Sequence, residues 1–313
     1  MIEIRKIYSE EVNAITHTTP HHADDVFATV MLSILFPVVL FRTRDKAIID
    51  KTDAVVYDVG GEYDSERGRF DHHQRGFSEA RPNGVKYSSA GLIWRKYGAQ
   101  IVKKVCKDAE LDDQMVANIT ARVDRSLVSG IDARDNGQSE KESVMSIASI
   151  IAMIKPHWYE KDADGDSYFL KACELAEFAL RCVIDNAMSA EYGCREVWKI
   201  LKTVEGQIII MEEFIGGWTE AILKSDIAKA AELVYAVFPS ANGNWNAHTI
   251  PKSTAEPKEA RKRFPESWCG LSDEELARVT GVETAVFCHK DGFIVGAKTK
   301  EDAILLAQKA LSA

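Results

Sequence analysis

The chain is poor in cysteine, and its cysteines lack the spacing of a thiolate metal site or a disulfide framework. The six thiols are scattered and include no CxxC pair; they are at positions 106, 173, 182, 194, 269 and 288. Disulfide-rich secreted domains are short and dense in cysteine, whereas intracellular proteins keep their thiols reduced. The sequence therefore predicts reduced, mostly buried cysteines in a cytoplasmic protein.

Long apolar runs are also absent. No stretch approaches the roughly 20 apolar residues that cross a bilayer, and residues 1–6 lack the apolar segment of a secretory signal. We therefore expect no membrane association. With 313 residues, of which 46% are hydrophobic and 28% charged, the chain predicts about two globular domains of roughly 150 residues each.

The chain also has no excess of basic residues; its formal net charge is −9. Proteins that follow long duplexes usually present a basic face, since phosphate contacts dominate their affinity. Bound metal cations can offset acidic charge locally. The charge therefore favours short or single-stranded phosphoester partners over tight duplex binding.

Histidine, in contrast, is concentrated. Five of the eight histidines lie in two short segments, Thr16–Asp25 and the tripeptide Asp71-His72-His73. Between them, an apolar segment ends at Asp58. Imidazoles and carboxylates without a nearby thiol suit manganese, magnesium or zinc. These clusters point to a metal-dependent hydrolase.

The N-terminal pattern predicts an α/β domain that would bring these clusters together. Strands are expected at 12–18, 38–44 and 54–59, apolar on both faces as buried parallel strands are, with a helix at 22–36. Ligands of such sheets bind beyond the carboxyl ends of the strands. His17 and Asp58 both lie at those ends.

The remaining pattern predicts helices and then a second α/β domain. Ser88 is a good N-cap for a helix at 89–105, and Gly130 and Gly137 bound a predicted break. Further helices are expected at 113–129, 143–155, 166–202, 218–224, 272–279 and 300–311. Further strands are expected at 207–214, 233–238, 245–250, 284–289 and 293–298. We predict a catalytic metal-binding domain over 1–195 and a smaller substrate-binding domain over 205–313.

The ordered set of motifs resembles the DHH phosphoesterase superfamily and, within it, the melanocyte-proliferating-gene (MYG) branch of exonuclease-like proteins. The resemblance covers nearly the whole chain. Its segments are Thr16-His17, His22-Ala23-Asp24, Val59–Asp64, Phe70–Arg75, Ser88–Ile93, Ile131–Gly137, Met211–Phe214, Pro265–Trp268 and His289–Gly296. The resemblance implies a DHH-type parallel-sheet N-terminal domain with a smaller α/β C-terminal domain. It also implies a 3′→5′ exonuclease that acts on RNA or short oligonucleotides through water activated by two Mn²⁺ or Mg²⁺ ions.

The same resemblance implies roles for individual residues. The metal ligands would be His17, His22, Asp24, Asp58, His72 and Asp132, with Asp58 as the bridge. Asp132 competes with Asp135 for the last position and is favoured. Asp71 would orient an imidazole, and His73 would face the substrate phosphate and donate a proton. His21 is expected to point to solvent.

Further residues are candidates for substrate contacts by their position in the chain. Arg75 would neutralise the scissile phosphate, and the amides after Ser88 could bind a second phosphate. In the second domain, Arg263, His289, Gly292 and Gly296 would hold the nucleotide. The chain lacks the superfamily's usual Gly-Gly-His stretch there, which leaves the choice of substrate open.

Two other functions fit the sequence. One is a phosphatase or pyrophosphatase acting on a small phosphoester, which suits the acidic charge. The other is a metal-binding regulatory module without turnover, although such modules typically lose ligands and here every expected type is present. The sequence leaves open the metal, the direction of digestion and whether the chain forms a homodimer.

Overall fold

The computed structural model describes residues 1–139 and 146–313. They form two compact units, Met1–Met188 and Ser189–Ala313, and the division falls inside a long helix, Gly165–Leu201. Within the described ranges, no helix combines the length and apolar character that a membrane crossing requires.

The first unit is a six-stranded sheet with helices. Its strands are β1 (Ile2–Arg5), β2 (Ala14–Thr16), β3 (Val38–Arg42), β4 (Val55–Tyr57), β5 (Tyr63–Asp64) and β6 (Arg69–Phe70). Its helices are α1 (Ala23–Leu35), α2 (Lys46–Ile49), α3 (Ser89–Val105), α4 (Asp113–Val123), α5 (Ser129–Asp135), α6 (Ile147–Met153) and α7 (Gly165–Leu201), which continues into the second unit. The strand order is β1-β3-β2-β4-β6-β5, and all pairs are parallel except β5 with β6.

Burial explains this arrangement. Strands β2, β3 and β4 are apolar on both faces because the sheet is parallel and its centre is covered. Helix α1 is apolar on nearly all sides, and it packs against α3. The largest core of the unit joins both helices to Tyr57 and Phe70. The strands predicted at 12–18, 38–44 and 54–59 are confirmed, as is the helix at 89–105.

One local prediction is wrong. The segment 130–137, expected as a break, is helical as far as Asp135, because α4 continues through a π-helical turn (Asp124–Val128) into α5. Val128 and Ile131 are buried in the core, and this packing outweighs the low helix propensity of Gly130. The helix has ended by Gly137, whose φ is 65°. The helix predicted at 143–155 starts outside the described residues, and its described part is α6.

The second unit is a five-stranded sheet with helices. Its strands are β7 (Ile208–Ile210), β8 (Tyr235–Pro239), β9 (Trp245–Thr249), β10 (Ala285–Cys288) and β11 (Ile294–Ala297). Its helices, besides the end of α7, are α8 (Trp218–Leu223), α9 (Lys229–Glu232), α10 (Asp273–Thr280) and α11 (Lys300–Ser312). The order is β10-β11-β9-β8-β7, with only β7 and β8 parallel. The α/β class predicted for the chain is confirmed.

A close approach of two backbone segments in the second unit leads to a stability prediction. A Cβ added to Gly193 in α7 would lie 1.8 Å from the carbonyl oxygen of Gly216. Because that neighbour is backbone, we expect Gly193→Ala to lower the free energy of unfolding by roughly 3 kcal/mol. Urea unfolding followed by circular dichroism measures the change.

Gly130→Ala is the matched control. Gly130 also lies in a helix, but nothing is within 4 Å of its added Cβ. This substitution should raise stability by about 0.5–1 kcal/mol, because alanine restricts the unfolded chain more than glycine does. Equal effects of the two substitutions would contradict the packing explanation.

Candidate metal centre

Three adjacent parallel strands bring the two histidine clusters together. His17 directly follows β2, Asp58 follows β4, and the Asp71-His72-His73 tripeptide follows β6. Strands β2, β4 and β6 are neighbours in the sheet. Their carboxyl ends therefore lie along one edge, as the sequence predicts for His17 and Asp58; the strand before the tripeptide was not predicted.

The first group of side chains surrounds His17. Its Nε2 lies 3.1 Å from Asp58 Oδ2 and 3.5 Å from Asp25 Oδ2. Its Nδ1 lies 2.6 Å from the carbonyl oxygen of Thr18, so Nδ1 carries the hydrogen and Nε2 is the ligand atom. His22 completes the group: one ligand atom from each of the four side chains lies within 4.8 Å of the others.

A second group surrounds His72. Its Nε2 lies 3.2 Å from Asp135 Oδ2, 3.6 Å from Asp58 Oδ1 and 3.8 Å from Asp24 Oδ2. The two oxygens of Asp58 therefore face different histidines, Oδ2 towards His17 and Oδ1 towards His72. A carboxylate that bridged two cations would need this placement of its two oxygens.

The backbone of Asp58 holds that position under strain. Its φ is 55°, a left-handed conformation that is uncommon outside glycine but tolerated best by Asn and Asp. The Asp58 amide donates a hydrogen bond to Ser89 Oγ (2.9 Å). Strained backbone is typical of functional sites, and here it turns the carboxylate beyond the end of β4.

Asp71 holds the backbone and one imidazole of the Asp71-His72-His73 tripeptide by hydrogen bonds. Its Oδ1 accepts hydrogen bonds from the amides of His72 (2.7 Å) and His73 (3.1 Å) and lies 2.8 Å from His73 Nδ1, while Oδ2 accepts from the Gly61 amide (2.6 Å). The bond to Asp71 raises the pKa of His73. The His73 side chain is 60% exposed, so its ring is accessible from solvent.

The buried carboxylates of the site make it suitable for a cation. Burial and then the Asp58 and Asp135 charges raise the pKa of Asp24 well above its usual value. Burial likewise raises the pKa of Asp25 to about 7, and within the described ranges nothing hydrogen-bonds to its buried Oδ2. Burial lowers the pKa of His72, but the facing carboxylates raise it to about 10. An imidazole can offset only part of this negative charge, so the donor set fits divalent ions.

Asp132 does not join the ligand atoms. It is fully buried, and its Oδ2 accepts from Arg81 Nη1 (2.6 Å). Asp135, three residues further along α5, instead brings its Oδ2 to 3.2 Å from His72 Nε2. Asp135, and not Asp132, is therefore the aspartate of this helix whose carboxylate is grouped with Asp24 and His72.

Asp25 was not among the predicted ligands. It follows Asp24 in the first turn of α1, and its Oδ1 accepts a hydrogen bond from the His22 amide (2.7 Å). This cap turns Asp25 Oδ2 towards His17, while Asp24 faces α3. Adjacent helical residues point about 100° apart, so Asp24 and Asp25 can face different groups of ligand atoms. The consecutive aspartates were the sequence feature from which this could have been predicted.

Other residues named in the sequence analysis differ in burial and contacts. His21 is buried, with its ring edge-on to Phe169 and its pKa lowered to about 4 by burial, so the prediction of a solvent-facing His21 is wrong. Arg75 is exposed, as a phosphate contact requires. The amides of Ser89 and Ala90 bind the Asp24 carboxylate, which leaves them closed to a second phosphate.

In the second unit, a cavity is lined by Arg263, Lys258, Asp291 and Phe293. The His289 ring lies 4.3 Å from that of Phe293. Gly292 has a φ of 63°, and its turn requires glycine. A Cβ on Gly296 would lie 2.6 Å from the Phe287 ring, so packing inside the sheet explains this glycine.

Comparisons with known proteins agree over almost the whole chain. A family model described as MYG1_exonuc, uncharacterised protein family UPF0160, matches residues 13–311. The MYG1 protein of Caenorhabditis elegans is 31% identical and aligns with 95% of this chain and 94% of its own. Proteins named MYG1 exonuclease from Bos taurus and Homo sapiens are 30% and 28% identical; each aligns with 95% of this chain and with 84% and 85% of its own.

Proposed function

The chain belongs to the MYG1_exonuc family (UPF0160), and from that premise we propose that it is a metal-dependent phosphodiesterase of the DHH type. The proposed reaction is 3′→5′ removal of nucleotides from RNA or short oligonucleotides. Relatives that are named exonucleases support the reaction class. The observation that carries the proposal is the position of Asp58 between two groups of imidazole and carboxylate ligands.

The two groups would each hold one divalent ion, Mn²⁺ or Mg²⁺. The first site would use His17, His22, Asp25 and Asp58, and the second Asp24, Asp58, His72 and Asp135. Bound divalent ions stabilise negative charge on phosphoryl oxygens and make water more acidic near neutral pH. Oxygen-rich donor sets with two imidazoles per site or fewer suit these hard ions.

The chain's own residues handle protons and substrate charge. His73, held by Asp71 through Nδ1, would present a protonated Nε2 to the leaving oxygen as a general acid. Arg75 is two residues further on and exposed, so it can reach a phosphate in solvent. In the second unit, Arg263 and Lys258 supply positive charge and Phe293 an apolar surface along one cavity, which suits a nucleotide. We assign His289, Gly292 and Gly296 to the support of that cavity.

Labelled RNA tests the reaction and its direction. Protein freed of metal with EDTA is given Mn²⁺ or Mg²⁺ and a single-stranded RNA of about ten nucleotides, labelled at either end. We expect 5′-labelled RNA to shorten through a ladder of intermediates. RNA labelled at its 3′ end should release labelled mononucleotide from the first time point. The reverse assignment of the two labels would contradict the direction.

Pyrophosphate and a nucleoside bisphosphate, tested in parallel, separate the alternatives. Faster turnover of either compound than of RNA would favour the small-molecule phosphatase, which the net charge of −9 also suits. Thermal stabilisation by Mn²⁺ with no hydrolysis of any substrate would favour a regulatory module. Either outcome removes the exonuclease proposal.

A further inference from the structure

A buried arginine binds two carboxylates outside the two ligand groups, and one of them, Asp132, connects it to the candidate metal site. The guanidinium of Arg81 binds Asp124 through Nε (2.8 Å) and Nη2 (2.7 Å), and it binds Asp132 Oδ2 through Nη1 (2.6 Å). It lies 4.2 Å from the ring centre of Tyr87. Three directed bonds and a stacked ring hold the guanidinium in one orientation.

One hydroxyl group joins this arginine network to the metal ligand Asp24. Ser88 Oγ lies 2.5 Å from Asp132 Oδ1 and 2.5 Å from Asp24 Oδ1. Ser88 is at the N-cap position of α3, yet its hydroxyl makes no capping bond to the helix. The two carboxylates take over that role, because Asp24 accepts from the amides of Ser89 and Ala90 and Asp132 from the amide of Gly91.

The approach of Asp132 to α3 depends on glycine. A Cβ on Gly91 would lie 1.8 Å from Asp132 Oδ2, so no larger residue leaves room for the carboxylate. The hydroxyl of Ser88 has a single hydrogen, which it can donate to only one carboxylate at a time. Two buried carboxylates that share one hydrogen repel each other unless a cation neutralises one of them. Arg81 is that cation.

We propose that Arg81 is a positioning residue for the second metal site and acts through Asp132 and Ser88 on the ligand Asp24. By neutralising Asp132, Arg81 leaves the Ser88 hydroxyl free to donate to Asp24 Oδ1. Asp24 Oδ2, which lies 3.8 Å from His72 Nε2, then keeps its direction towards the cation. This inference rests on the proposed metal centre but not on the identity of the substrate.

Mn²⁺ titration calorimetry of the metal-free full chain tests the proposal without substrate. We expect Arg81→Met to weaken Mn²⁺ binding at one of two sites by about 10–100-fold, the usual effect of losing a group that holds a metal ligand. Arg81→Lys keeps the positive charge but loses the paired N–H donors of the guanidinium, so its loss of Mn²⁺ affinity should be intermediate. Arg261→Met is the control, because Arg261 also donates to buried carbonyl groups but lies in the second unit.

A second pair of variants covers the case in which Arg81→Met does not fold. Asp132→Asn removes the charge that Arg81 neutralises, so the double variant Arg81→Met/Asp132→Asn should bind Mn²⁺ within about threefold of wild type. A purely structural arginine would not be rescued in this way. Asp132→Asn alone should cost less than about tenfold, whereas Asp135→Asn should remove one site.

Three results would overturn the proposal. They are equal weakening of both Mn²⁺ sites by Arg81→Met, no recovery of Mn²⁺ affinity in the double variant, and loss of a site in Asp132→Asn as complete as in Asp135→Asn. Failure of the proposed function looks different. In that case wild-type protein binds two Mn²⁺ ions, the variants behave as expected, and no phosphodiester is hydrolysed.

Discussion

Asp58→Asn should abolish turnover almost completely. We expect kcat/KM for RNA in Mn²⁺ to fall by at least about 10³-fold, which corresponds to roughly 4 kcal/mol of transition-state stabilisation. The reason is that Asp58 faces both His17 and His72, so replacing its carboxylate weakens two cation sites at once. Initial rates of nucleotide release give the activity, and calorimetry gives the Mn²⁺ stoichiometry.

Asp53→Asn is the matched control for this substitution. Asp53 lies at the opposite end of β4 and is exposed, so the same change of charge occurs there without contact to the ligand groups. We expect activity and Mn²⁺ stoichiometry to stay at the wild-type values. Wild-type turnover in Asp58→Asn would rule out Asp58 as the bridge and with it the proposed centre.

Asp25→Asn should have opposite effects on stability with and without metal. Without metal, at pH 8, the variant should be more stable than wild type by a few kcal/mol, as an order of magnitude. With Mn²⁺ in excess, wild type should be the more stable protein. The Asp25 side chain is fully buried, and an asparagine keeps the hydrogen bond from the His22 amide without the charge.

The pH dependence follows from the direction of the shift. Burial raises the pKa of Asp25 from 3.8 to about 7, so the folded chain holds this proton more tightly than the unfolded chain. The stability that the protonated group contributes is complete below about pH 4 and is lost as the pH rises to about 7. Metal-free wild type should therefore lose stability relative to Asp25→Asn across that window.

Mn²⁺ reverses the order because it binds the ionised carboxylate in the folded state only. At a concentration of 100 Kd, such binding contributes about 2.7 kcal/mol. Thermal melts between pH 4 and 8, with EDTA or Mn²⁺, provide the measurement. Asp45→Asn is the control, because Asp45 is an exposed N-cap that accepts from the Ala47 amide. Parallel curves for wild type and Asp25→Asn would exclude a buried ionised ligand at this position.

Most helices and strands could be predicted from the sequence because each is indicated by a pattern of neighbouring residues. Apolar segments without polar interruption indicate the buried strands β2, β3 and β4, and Pro37 ends α1. The edge strand β1 was not predicted, because it is half-buried and short. The helix α5 was not predicted either, because its glycine and charged residues are typical of a loop. Burial in the core keeps this segment helical.

For the site, the sequence by itself determined the residue types and their places at the ends of the strands. His17 and Asp58 each follow a predicted parallel strand, so sheet geometry predicts their convergence, whereas the short strand β6 that precedes His72 was not predicted. Only the tertiary structure shows that Asp135 and Asp25, and not Asp132, are grouped with the histidines. Those placements depend on contacts between distant segments, such as Arg81 with Asp132, 51 residues apart, and His72 with Asp135, 63 residues apart. Local patterns carry no information on such contacts, because they form only when the core packs.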